Sequence, residues 1–574
     1  MENHEIAGVF REIAVILELK GDNPFRVRAY QRAAQHIEGL PESLKDIAKK
    51  DALEEIPGIG KDLASKIKEL VETGRSKYYR QLRSSLPSGL IDMLDIPGLG
   101  PKTVKLIHER RKISTIKALE KAARKGRLKS LPGIQEKTEE NIIKGIALLQ
   151  EGRARTPLPA AMAIADEFIA ALRRLKQVKT IAACGSLRRR RETVRDIDIL
   201  VSSKDPKKVI ERFVGLKSVK EVITKGTTKS SILTKENMQV DIRVVENDSF
   251  GAALVYFTGS KDFNISLRRL ALKKGYKINE YGVFKLTTTG EKKVAGASEE
   301  EIFDLFKMQH IIPTLREDRG EIPLALKHKL PKVVELSQIK GDLHVHSRYS
   351  DGTNTIAELA EAGRNRGYEY LAVCDHSQSL YVANGLDKKR LRTKIQEIRQ
   401  VNKKFKDFQL LAGSEVDILS DGSLDYPEEI LKELEIVVAA VHSGFKQTAK
   451  QLTARIISAI KNKHVNIIAH PTGRLFGVRK AYEIDFDQIF SACADHNVAL
   501  ELNAYPQRID LSDSNCQKAK EKKVKISIDT DAHHREDLDA MQLGLWTAQR
   551  GWLEKDDVLN TMSLNKLQTW LKKK

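Results

Sequence analysis

The first 80 residues carry apolar side chains at helical spacing. Ile6, Phe10, Ile13 and Leu17 recur every three or four residues, which predicts an amphipathic helix, and Asn23-Pro24 interrupts the period. The pattern therefore predicts a helical domain at the start of the chain.

A Pro-Gly-x-Gly turn occurs twice in the helical region, at residues 57–60 and 97–100, each time before another helical stretch. A third copy at residues 132–135 ends in Gln135 instead of glycine. Such a turn aims unpaired backbone N–H groups at a phosphate oxygen and reads no base sequence. The repeat indicates helix-hairpin-helix units that contact the DNA backbone; whether the third copy binds or only packs stays open. The predicted contacts are Gly58, Gly60, Gly98 and Gly100.

Two strands with alternating polarity are predicted in the middle of the chain, at residues 196–201 and 239–244. Asp196 and Asp198 project from one face of the first strand, about 6–7 Å apart, because side chains alternate along a strand. Asp241 lies on the second strand. A D-x-D motif alone is most often a solvated strand edge. Three acids on neighbouring strands, however, could hold two Mg²⁺ or Mn²⁺ ions about 3.5–4 Å apart, as in-line phosphoryl transfer requires.

A Gly-Ser turn follows the β-like run at residues 180–184. Gly185 and Ser186 expose backbone N–H groups and a hydroxyl, and four arginines follow at residues 188–191. These groups offer phosphate ligands beside the predicted metal-binding face. Together with the three acids, they favour nucleotidyl transfer over a solvated strand edge.

After Gly341 the chain alternates short β-runs with helical stretches, which predicts a barrel or another parallel α/β fold. Seven runs begin near residues 342, 371, 411, 437, 467, 500 and 526, and His, Asp or Glu lies near the end of almost every one. Barrel enzymes gather their active sites at the carboxyl ends of the strands. Imidazole suits Zn²⁺, Mn²⁺ or Fe²⁺, and a shared carboxylate can bridge two ions. The runs therefore predict a second metal site.

The bulk composition restricts the class of protein further. A chain of 574 residues is long enough for about three to five domains. It has no run of 18 uninterrupted apolar residues and its N-terminus carries acids throughout, so we expect no membrane partner and no secretory signal. Four cysteines without a C-x-x-C favour reduced thiols in a cytoplasm. The formal charge of +21 suits a polyanionic partner.

The stretch Gly185–Leu200 resembles the palm of family X DNA polymerases, whose pattern is G-S-x-R-R, then D-x-D, then a third Asp. The resemblance implies that Asp196, Asp198 and Asp241 hold two Mg²⁺ or Mn²⁺ ions. It also implies that Asp241 draws the proton from the primer 3′-hydroxyl. The family's nucleotide-binding segment follows at residues 256–281 in the same order. The residues that the resemblance assigns to the incoming nucleotide and template are Gly185, Ser186, Arg189, Tyr256, Phe257, Gly259, Asn264 and Arg268.

The first 85 residues resemble the small domain that precedes the palm in DNA polymerase beta. In that resemblance Lys66 lies at the position of the deoxyribose-phosphate lyase nucleophile, and Arg26 and Tyr30 at positions on the 5′-phosphate side of a DNA gap. A lysine can form a Schiff base with an abasic-site aldehyde when neighbouring cations lower its pKa. The alternative is an ordinary solvated helix lysine, and Asp62 replaces a family cation nearby.

The last third of the chain resembles the PHP (polymerase and histidinol phosphatase) family, a distorted seven-stranded barrel with a trinuclear metal centre. The resemblance implies metal-assisted hydrolysis of a phosphoester with up to three Mn²⁺ or Zn²⁺ ions. All nine family ligands have a counterpart here, which favours an active site over a degenerate scaffold. They are His344, His346, Asp351, His376, Glu415, His442, His470, Asp531 and His533.

We therefore predict a multidomain chain. It comprises a small helical domain (1–85), a second helix-hairpin-helix domain (86–155), an α+β polymerase-beta-like palm (156–250), a nucleotide-selecting subdomain (251–320), a linker (321–340) and a distorted (β/α)7 PHP barrel (341–574).

The predicted function is a cytoplasmic, monomeric, template-directed polymerase. It would use deoxynucleoside triphosphates to fill short gaps in gapped or primer-template DNA during repair. The barrel is predicted to act as a 3′→5′ exonuclease or 3′-end cleaner, with abasic-site cleavage as an additional activity. Two alternatives stay open: a DNA-binding protein whose barrel is a small-molecule phosphatase, and a template-independent terminal transferase.

Overall fold

A computed structural model describes residues 3–40, 43–56, 58–87, 89–96, 99–134, 138–140, 142–143, 146, 155–476 and 478–572. Its contacts divide the chain into two compact units. One is Met1–Arg155 together with Leu272–Lys274, and the other is Thr156–Ala271 together with Gly275–Lys574. We describe each unit by itself. The bounds of the six segments proposed from the sequence stay predictions.

The first unit is helical, as predicted. Two hydrophobic cores stabilise it, and the periodic residues Ile6, Phe10, Ile13 and Leu17 are all buried in the first of them. Asn23 caps the second helix by accepting a hydrogen bond from the backbone N–H of Phe25. The helices with both ends in the described part of this unit are Asn3–Lys20, Pro24–Gly39, Leu44–Lys49, Lys61–Thr73, Lys77–Ser84, Gly89–Asp92, Pro101–Arg111 and Ile116–Arg124.

The second unit begins with an α+β layer. A short antiparallel pair, β1 (Thr156–Pro157) and β3 (Thr193–Val194), leads into a five-stranded sheet. The order of that sheet is β2 (Val178–Ala183), β4 (Asp196–Ser203), β7 (Gln239–Val245), β6 (Lys229–Thr234), β5 (Val219–Lys225). Only the central pair, β4 and β7, is parallel. The helices Leu158–Arg173, Gly185–Arg188 and Pro206–Val214 complete the layer.

A smaller subdomain follows. Helices Phe250–Thr258, Lys261–Lys273 and Glu299–Leu305 accompany an antiparallel sheet of β8 (Tyr276–Asn279), β9 (Gly282–Thr287) and β10 (Gly290–Ala295). The segment predicted as a linker contains helix Glu321–Leu326. Its Ile322 packs into the core of this subdomain, and its Val334 packs into the core of the barrel. The segment is therefore partly buried between the two bodies that it joins.

Seven parallel strands then follow one another in chain order: β11 (Gly341–Val345), β12 (Tyr370–Val373), β13 (Gln409–Asp417), β14 (Ile436–Ala440), β15 (Ile467–Ile468), β16 (Ala499–Asn503) and β17 (Ile526–Asp529). A parallel bridge between Val345 and Ala532 closes the ring. All five residues of β14 are buried, because alternate side chains enter two different hydrophobic clusters. The predicted (β/α)7 barrel is confirmed.

Helices cover this barrel: Ile356–Asn365, Lys388–Asn402, Glu428–Leu431, Ala449–Ile460, Phe486–His496, Asp513–Glu521, Met541–Arg550 and Leu564–Leu571. Short 3₁₀ turns in the chain are Leu53–Glu55, Met93–Asp95, Asn247–Ser249, Pro313–Leu315, Leu336–Gln338, Tyr381–Ala383, Arg535–Ala540, Lys555–Asp557 and Leu559–Thr561. Within the described part of the chain, every helix falls short of the length and apolar content that a membrane span needs.

Candidate active sites in the palm and the barrel

The three predicted palm acids lie at the start of the central parallel strands. The register of β4 and β7 sets Asp198 directly opposite Asp241 and Asp196 opposite Gln239. The Gln239 amide donates to both carboxylate oxygens of Asp241 at 3.1 Å. All three acids are partly exposed. The parallel pairing therefore brings carboxylates that are 43 positions apart in the sequence, 198 and 241, to one edge of the sheet.

These acids share a strongly negative environment. Burial, and then the charges of Asp196 and Asp241, raise the pKa of Asp198 to about 7, while Arg189 and Arg243 oppose the shift. Carboxylates that raise one another's pKa are stabilised by a hard cation between them. The donor set of this site, all oxygen and partly solvated, therefore fits Mg²⁺ or Mn²⁺.

Gly185 allows the Gly-Ser turn to approach the acids. Its φ is +59°, and a Cβ atom built there would lie 2.2 Å from Oδ2 of Asp198. A side chain at this position would collide with the carboxylate, so the sequence needs glycine here. Ser186 follows on the short helix Gly185–Arg188.

The four arginines at 188–191 contact several different partners, although the sequence presents them as one cluster. Arg188 makes a bidentate pair with Glu299 at 2.8 Å, and the guanidinium of Arg190 lies over the Trp546 ring at 4.2 Å. Arg189 pairs with Glu317 at 2.9 Å. Three of the four are thus bound into the subdomain and the barrel, and the more exposed Arg191 lies 3.8 Å from the same Glu317. The role of Arg189 as a phosphate ligand stays a prediction, because Arg189 would first have to leave Glu317.

The residues expected at the incoming nucleotide form a connected set. The rings of Tyr256 and Phe257 meet edge to face at 5.2 Å, and Arg243 lies over Phe257. The Asn264 amide donates to the carbonyl of Tyr256 at 2.7 Å, and Arg268 donates to the carbonyl of Asn264 at 3.2 Å. Gly259, at φ +64°, ends the helix that carries the aromatic pair.

The glycine turns of the first unit share one geometry. A backbone N–H donates to the carbonyl three residues earlier at Ile59, Leu99 and Ile134, at 3.0, 3.0 and 3.1 Å. Gly60 and Gly100 cap helices Lys61–Thr73 and Pro101–Arg111 without any side-chain cap, so backbone N–H groups at both N-termini face outward. Gly58 has the left-handed φ of +78°. Gly98 lies outside the described residues.

Lys66 lies in a mixed environment. Its ammonium contacts the Asp62 carboxylate and lies 4.9 Å from the centre of the Tyr78 ring. Arg26 donates to the Tyr78 hydroxyl at 2.9 Å, and Tyr30 stacks on the same ring at 6.3 Å. The structure therefore gathers Lys66, Arg26 and Tyr30 around one aromatic side chain.

The barrel brings all nine predicted ligands together at the carboxyl ends of its strands. Three groups have ligand atoms within 4.8 Å of one another, and they share His346 and His376. The ninth residue, His470, approaches Glu415 with Nε2 2.9 Å from Oε1. The three groups are His346, Asp351, His376 and His533; His344, His346 and Asp531; and His376, Glu415 and His442.

The protonation of these imidazoles fits a metal centre. Burial lowers the pKa of His346 to about 4 and that of His470 to about 3, so both are neutral at physiological pH. Their Nδ1 atoms are buried without a hydrogen-bond partner. Buried lone pairs of this kind suit a divalent transition metal. The residues present therefore fit the Mn²⁺ or Zn²⁺ that the sequence implies.

Three other imidazoles, His376, His442 and His533, are named here the acid-paired histidines. Burial lowers their pKa, but neighbouring carboxylates raise it further, to about 10, 9 and 9. The carboxylates include Glu415 and Asp351. Without metal these side chains are protonated at neutral pH, so a metal must displace their protons.

Sequence reasoning missed the residues that orient the ligands. Glu501 accepts from Nδ1 of His344 at 2.6 Å, and Asp417 pairs with Nδ1 of His442. A carboxylate on the second ring nitrogen fixes the imidazole and directs the other nitrogen at the metal. Asp417 could have been found from the alternation of side chains along a strand. It lies two residues after Glu415 and therefore on the same face of the strand. Glu501 was visible as the only acid in the apolar strand β16.

Ion pairs join the barrel to the palm side of the second unit. Arg550 is 1 % exposed, and its guanidinium lies 2.9 Å from Glu317 and 2.6 Å from Asp513. It also donates to the carbonyl of Arg189 at 2.9 Å. Glu317, which pairs with Arg189, therefore also pairs with Arg550 of the barrel.

The fold and the sites together define a class of protein. An acid-bearing sheet with a Gly-Ser turn is suited to nucleotidyl transfer, a histidine-rich barrel to phosphoester hydrolysis, and glycine-turn helices to DNA. Family models agree with each part. Residues 1–76 match a helix-hairpin-helix domain and residues 90–147 a SAM-like helix-hairpin-helix tandem. Residues 253–317 match the DNA polymerase beta thumb, and residues 342–505 match the PHP domain.

Curated relatives extend this match to the whole chain. The DNA polymerase/3′-5′ exonuclease PolX of Bacillus subtilis (strain 168) is 40% identical over 575 residues, which is 100% of both chains. A probable phosphatase of Thermoanaerobacter sp. (strain X514) is 30% identical over 244 residues, 41% of this chain and 94% of its own. One of Caldanaerobacter subterraneus is 26% identical over 251 residues, 41% and 91% of the two chains. The chain belongs to the PolX family, the family X DNA polymerases with a C-terminal PHP domain.

Proposed function

We propose that this chain is a DNA-directed DNA polymerase that fills short gaps during repair and carries its own metal-dependent 3′→5′ exonuclease. The observation that carries the proposal is the presence of two separate donor sets in one chain. One consists of carboxylates on the parallel pair β4 and β7, and the other consists of imidazoles at the mouth of a barrel. Full-length similarity to a relative named for both activities supports the pairing.

In the palm, Asp196, Asp198 and Asp241 would hold two Mg²⁺ or Mn²⁺ ions. The ions would neutralise charge on the triphosphate and activate the primer hydroxyl. Asp241 would accept the proton of the primer 3′-hydroxyl, with Gln239 holding its carboxylate in place. Ser186 and Arg189 would bind the β- and γ-phosphates, and to do so Arg189 would exchange Glu317 for phosphate oxygen.

The subdomain would select the nucleotide. Tyr256 and Phe257, with Gly259 behind them, would lie against the sugar and leave no room for a 2′-hydroxyl. Asn264 and Arg268 would contact the base and the template strand. The glycine turns at Gly58, Gly60, Gly98 and Gly100 would hold the DNA backbone, with Arg26 and Tyr30 on the 5′-phosphate side of the gap.

In the barrel, the nine ligands would hold up to three Mn²⁺ or Zn²⁺ ions. The ions would supply a nucleophilic water at neutral pH and stabilise negative charge on the phosphoryl oxygens. Glu501 and Asp417 orient His344 and His442 for that purpose. Trimming of 3′ ends, and cleavage at abasic sites, would make damaged ends extendable. A monomer in the cytoplasm, on the nucleoid when it acts on DNA, completes the proposal.

One labelled duplex with a single-nucleotide gap tests both sites. We expect Asp198→Ala to abolish gap filling alone and His344→Ala to abolish 3′ trimming alone. Two exposed residues on helices, Asp304 and His496, provide matched alanine controls that leave both activities intact. Loss of both activities in either active-site variant would contradict the two-site proposal.

The lyase role of Lys66 needs a separate test. Borohydride reduction traps a Schiff base between a lysine and an abasic-site aldehyde as a covalent protein–DNA product. If Lys66 is the nucleophile, Lys66→Ala removes that product. Lys68 is an exposed lysine on the same helix, and it pairs with Asp51. The control variant Lys68→Ala should retain the covalent product. Equal trapping in both variants would show that Lys66 is not the nucleophile.

The similarity of the barrel to probable phosphatases supports a second candidate, a small-molecule phosphatase joined to a DNA-binding module. An experiment that compares two substrates separates the exonuclease from the phosphatase. Hydrolysis of a 3′-recessed duplex and of a small phosphomonoester is measured in wild type and in His344→Ala. A barrel that hydrolyses only the monoester favours the phosphatase. Extension of a single-stranded primer without template would instead favour the terminal transferase.

A further inference from the structure

A rigid loop beside the barrel's metal ligands holds two apolar side chains out in solvent. Val382 and Tyr381 are 94 % and 87 % exposed, more than any other large hydrophobic residue in the described part of the chain. They occupy the 3₁₀ turn Tyr381–Ala383, which begins five residues after the predicted ligand His376. An aromatic ring that is exposed to solvent beside a phosphoester site is available to stack on a nucleic-acid base.

The loop is fixed to the ligand-bearing strands at both ends. The N–H of Ser377 donates to the carbonyl of Glu415 at 3.0 Å, and the N–H of Leu386 donates to the carbonyl of His376 at 2.9 Å. The Ser379 hydroxyl donates to Asp417 at 2.8 Å. The loop is therefore built on two of the predicted ligands and on the carboxylate that orients a third.

The far side of the loop is fixed as well. The Asn384 amide donates to the carbonyls of Tyr349 and Ser350 at 3.1 and 3.2 Å, next to the predicted ligand Asp351. Arg390 donates to the carbonyls of Asn384 and Gly385. The position of the turn relative to the ligands is thus set by the same backbone that carries them.

Three exposed cations lie on the chain segments that flank or hold this turn, together with the exposed acid Asp387. Arg348, two residues beyond the ligand His346, is exposed, and Lys388 and Lys389 are exposed at the start of the following helix. A basic surface interleaved with an exposed aromatic ring is the arrangement that binds single-stranded nucleic acid. Two side chains are too small a patch for a stable protein interface, which buries about 1,200 Å² or more.

We propose that Tyr381 and Val382 form a stacking platform for the unpaired bases of a DNA 3′ end, which holds its terminal phosphodiester over the barrel's ligands. The platform rests on the proposed exonuclease function. Tyr381 replaces the base stacking that the strand loses when it leaves the duplex, and Arg348, Lys388 and Lys389 contact its phosphates. It gives the barrel a preference for strands over small phosphoesters.

The test uses the full-length protein with Mn²⁺ and two single-stranded oligonucleotides, one normal and one without bases at its three 3′-terminal positions. Base–aromatic stacking is worth about 1–3 kcal/mol, so we expect wild type to prefer the normal strand about tenfold, through KM. Tyr381→Ala removes that preference and Tyr381→Trp retains it. Leu336→Ala, at an exposed apolar residue before the first barrel strand, leaves it intact.

Several results would overturn the platform. The first is a Tyr381→Ala variant that keeps the preference of wild type for the normal strand. The second is a variant that loses activity equally on the normal strand and on the strand without bases. The third is a variant whose oligomeric state changes in sedimentation. A normal strand that carries 2-aminopurine at its 3′ end reports stacking independently of cleavage. The fluorescence of 2-aminopurine falls when the base stacks. Binding without that fall refutes the platform, whereas a fall without trimming refutes the exonuclease alone.

Discussion

The palm acids lower the stability of the metal-free protein at neutral pH. The ordinary pKa of an aspartate is 3.8, and burial together with Asp196 and Asp241 raises that of Asp198 to about 7. Between these values the folded chain holds a proton that the unfolded chain has lost. Stability therefore falls as pH rises through this window, and the loss is complete above about pH 7. A pKa difference of about 3 corresponds to about 4 kcal/mol.

Asp198→Asn removes this cost, because the amide has nearly the same shape and no charge. We expect the variant to exceed wild type in free energy of unfolding, by an amount that grows by about 2–3 kcal/mol between pH 5 and pH 8. Thermal unfolding in EDTA measures it, since each kcal/mol moves Tm by about 2–4 °C for a domain of 150–250 residues. The same variant loses polymerase activity.

Two comparisons make this prediction specific. Mg²⁺ at pH 8 is expected to raise the Tm of wild type and to leave Asp198→Asn nearly unchanged, since cation and substitution relieve the same repulsion. Asp304→Asn, at an exposed helix position, controls for charge removal in general. A variant no more stable than wild type at pH 8 in EDTA would refute the reasoning.

Three further predictions follow from the geometry. Gly185→Ala places a methyl group against Asp198, so we expect gap filling to fall at least tenfold while 3′ trimming, measured on the same duplex, is unchanged. Arg550→Met leaves Glu317 and Asp513 with one cation fewer; the free energy of unfolding should drop by about 3 kcal/mol, and a drop under 1 kcal/mol in urea titrations would contradict the buried pairing. Mn²⁺ binding to the metal-free barrel at pH 7 should release up to three protons from the acid-paired histidines and a further one from His344, whose pKa is lowered by burial but raised well above its ordinary value by Glu501 and Glu415. Affinity should therefore rise with pH. Calorimetry in buffers of different ionisation enthalpy counts the released protons, and no release would contradict protonated imidazoles.

Local patterns determined much of this protein. The alternation of Asp196 and Asp198 along one strand, the glycine turns before two helices and the seven apolar runs of the barrel are short-range features, and each was visible in the sequence. Strand parity and helix period depend on the backbone alone, so they can be read without knowing which strand pairs with which. The helical first unit and a barrel or other parallel α/β fold were predicted on this basis and are confirmed, whereas the closed seven-stranded barrel was predicted from the family resemblance.

Pairing between distant segments was decided only by the tertiary structure. The register that sets Asp198 opposite Asp241 depends on which strand lies next to which, and so does the contact of Glu501 with His344. The same limit applies to the buried pair of Arg550 with Glu317, which joins residues 233 positions apart. Periodicity predicts the face of a helix or strand on which a side chain lies. The ion pair that a charged side chain forms depends on the packing of whole elements, which brings the two groups together and excludes water.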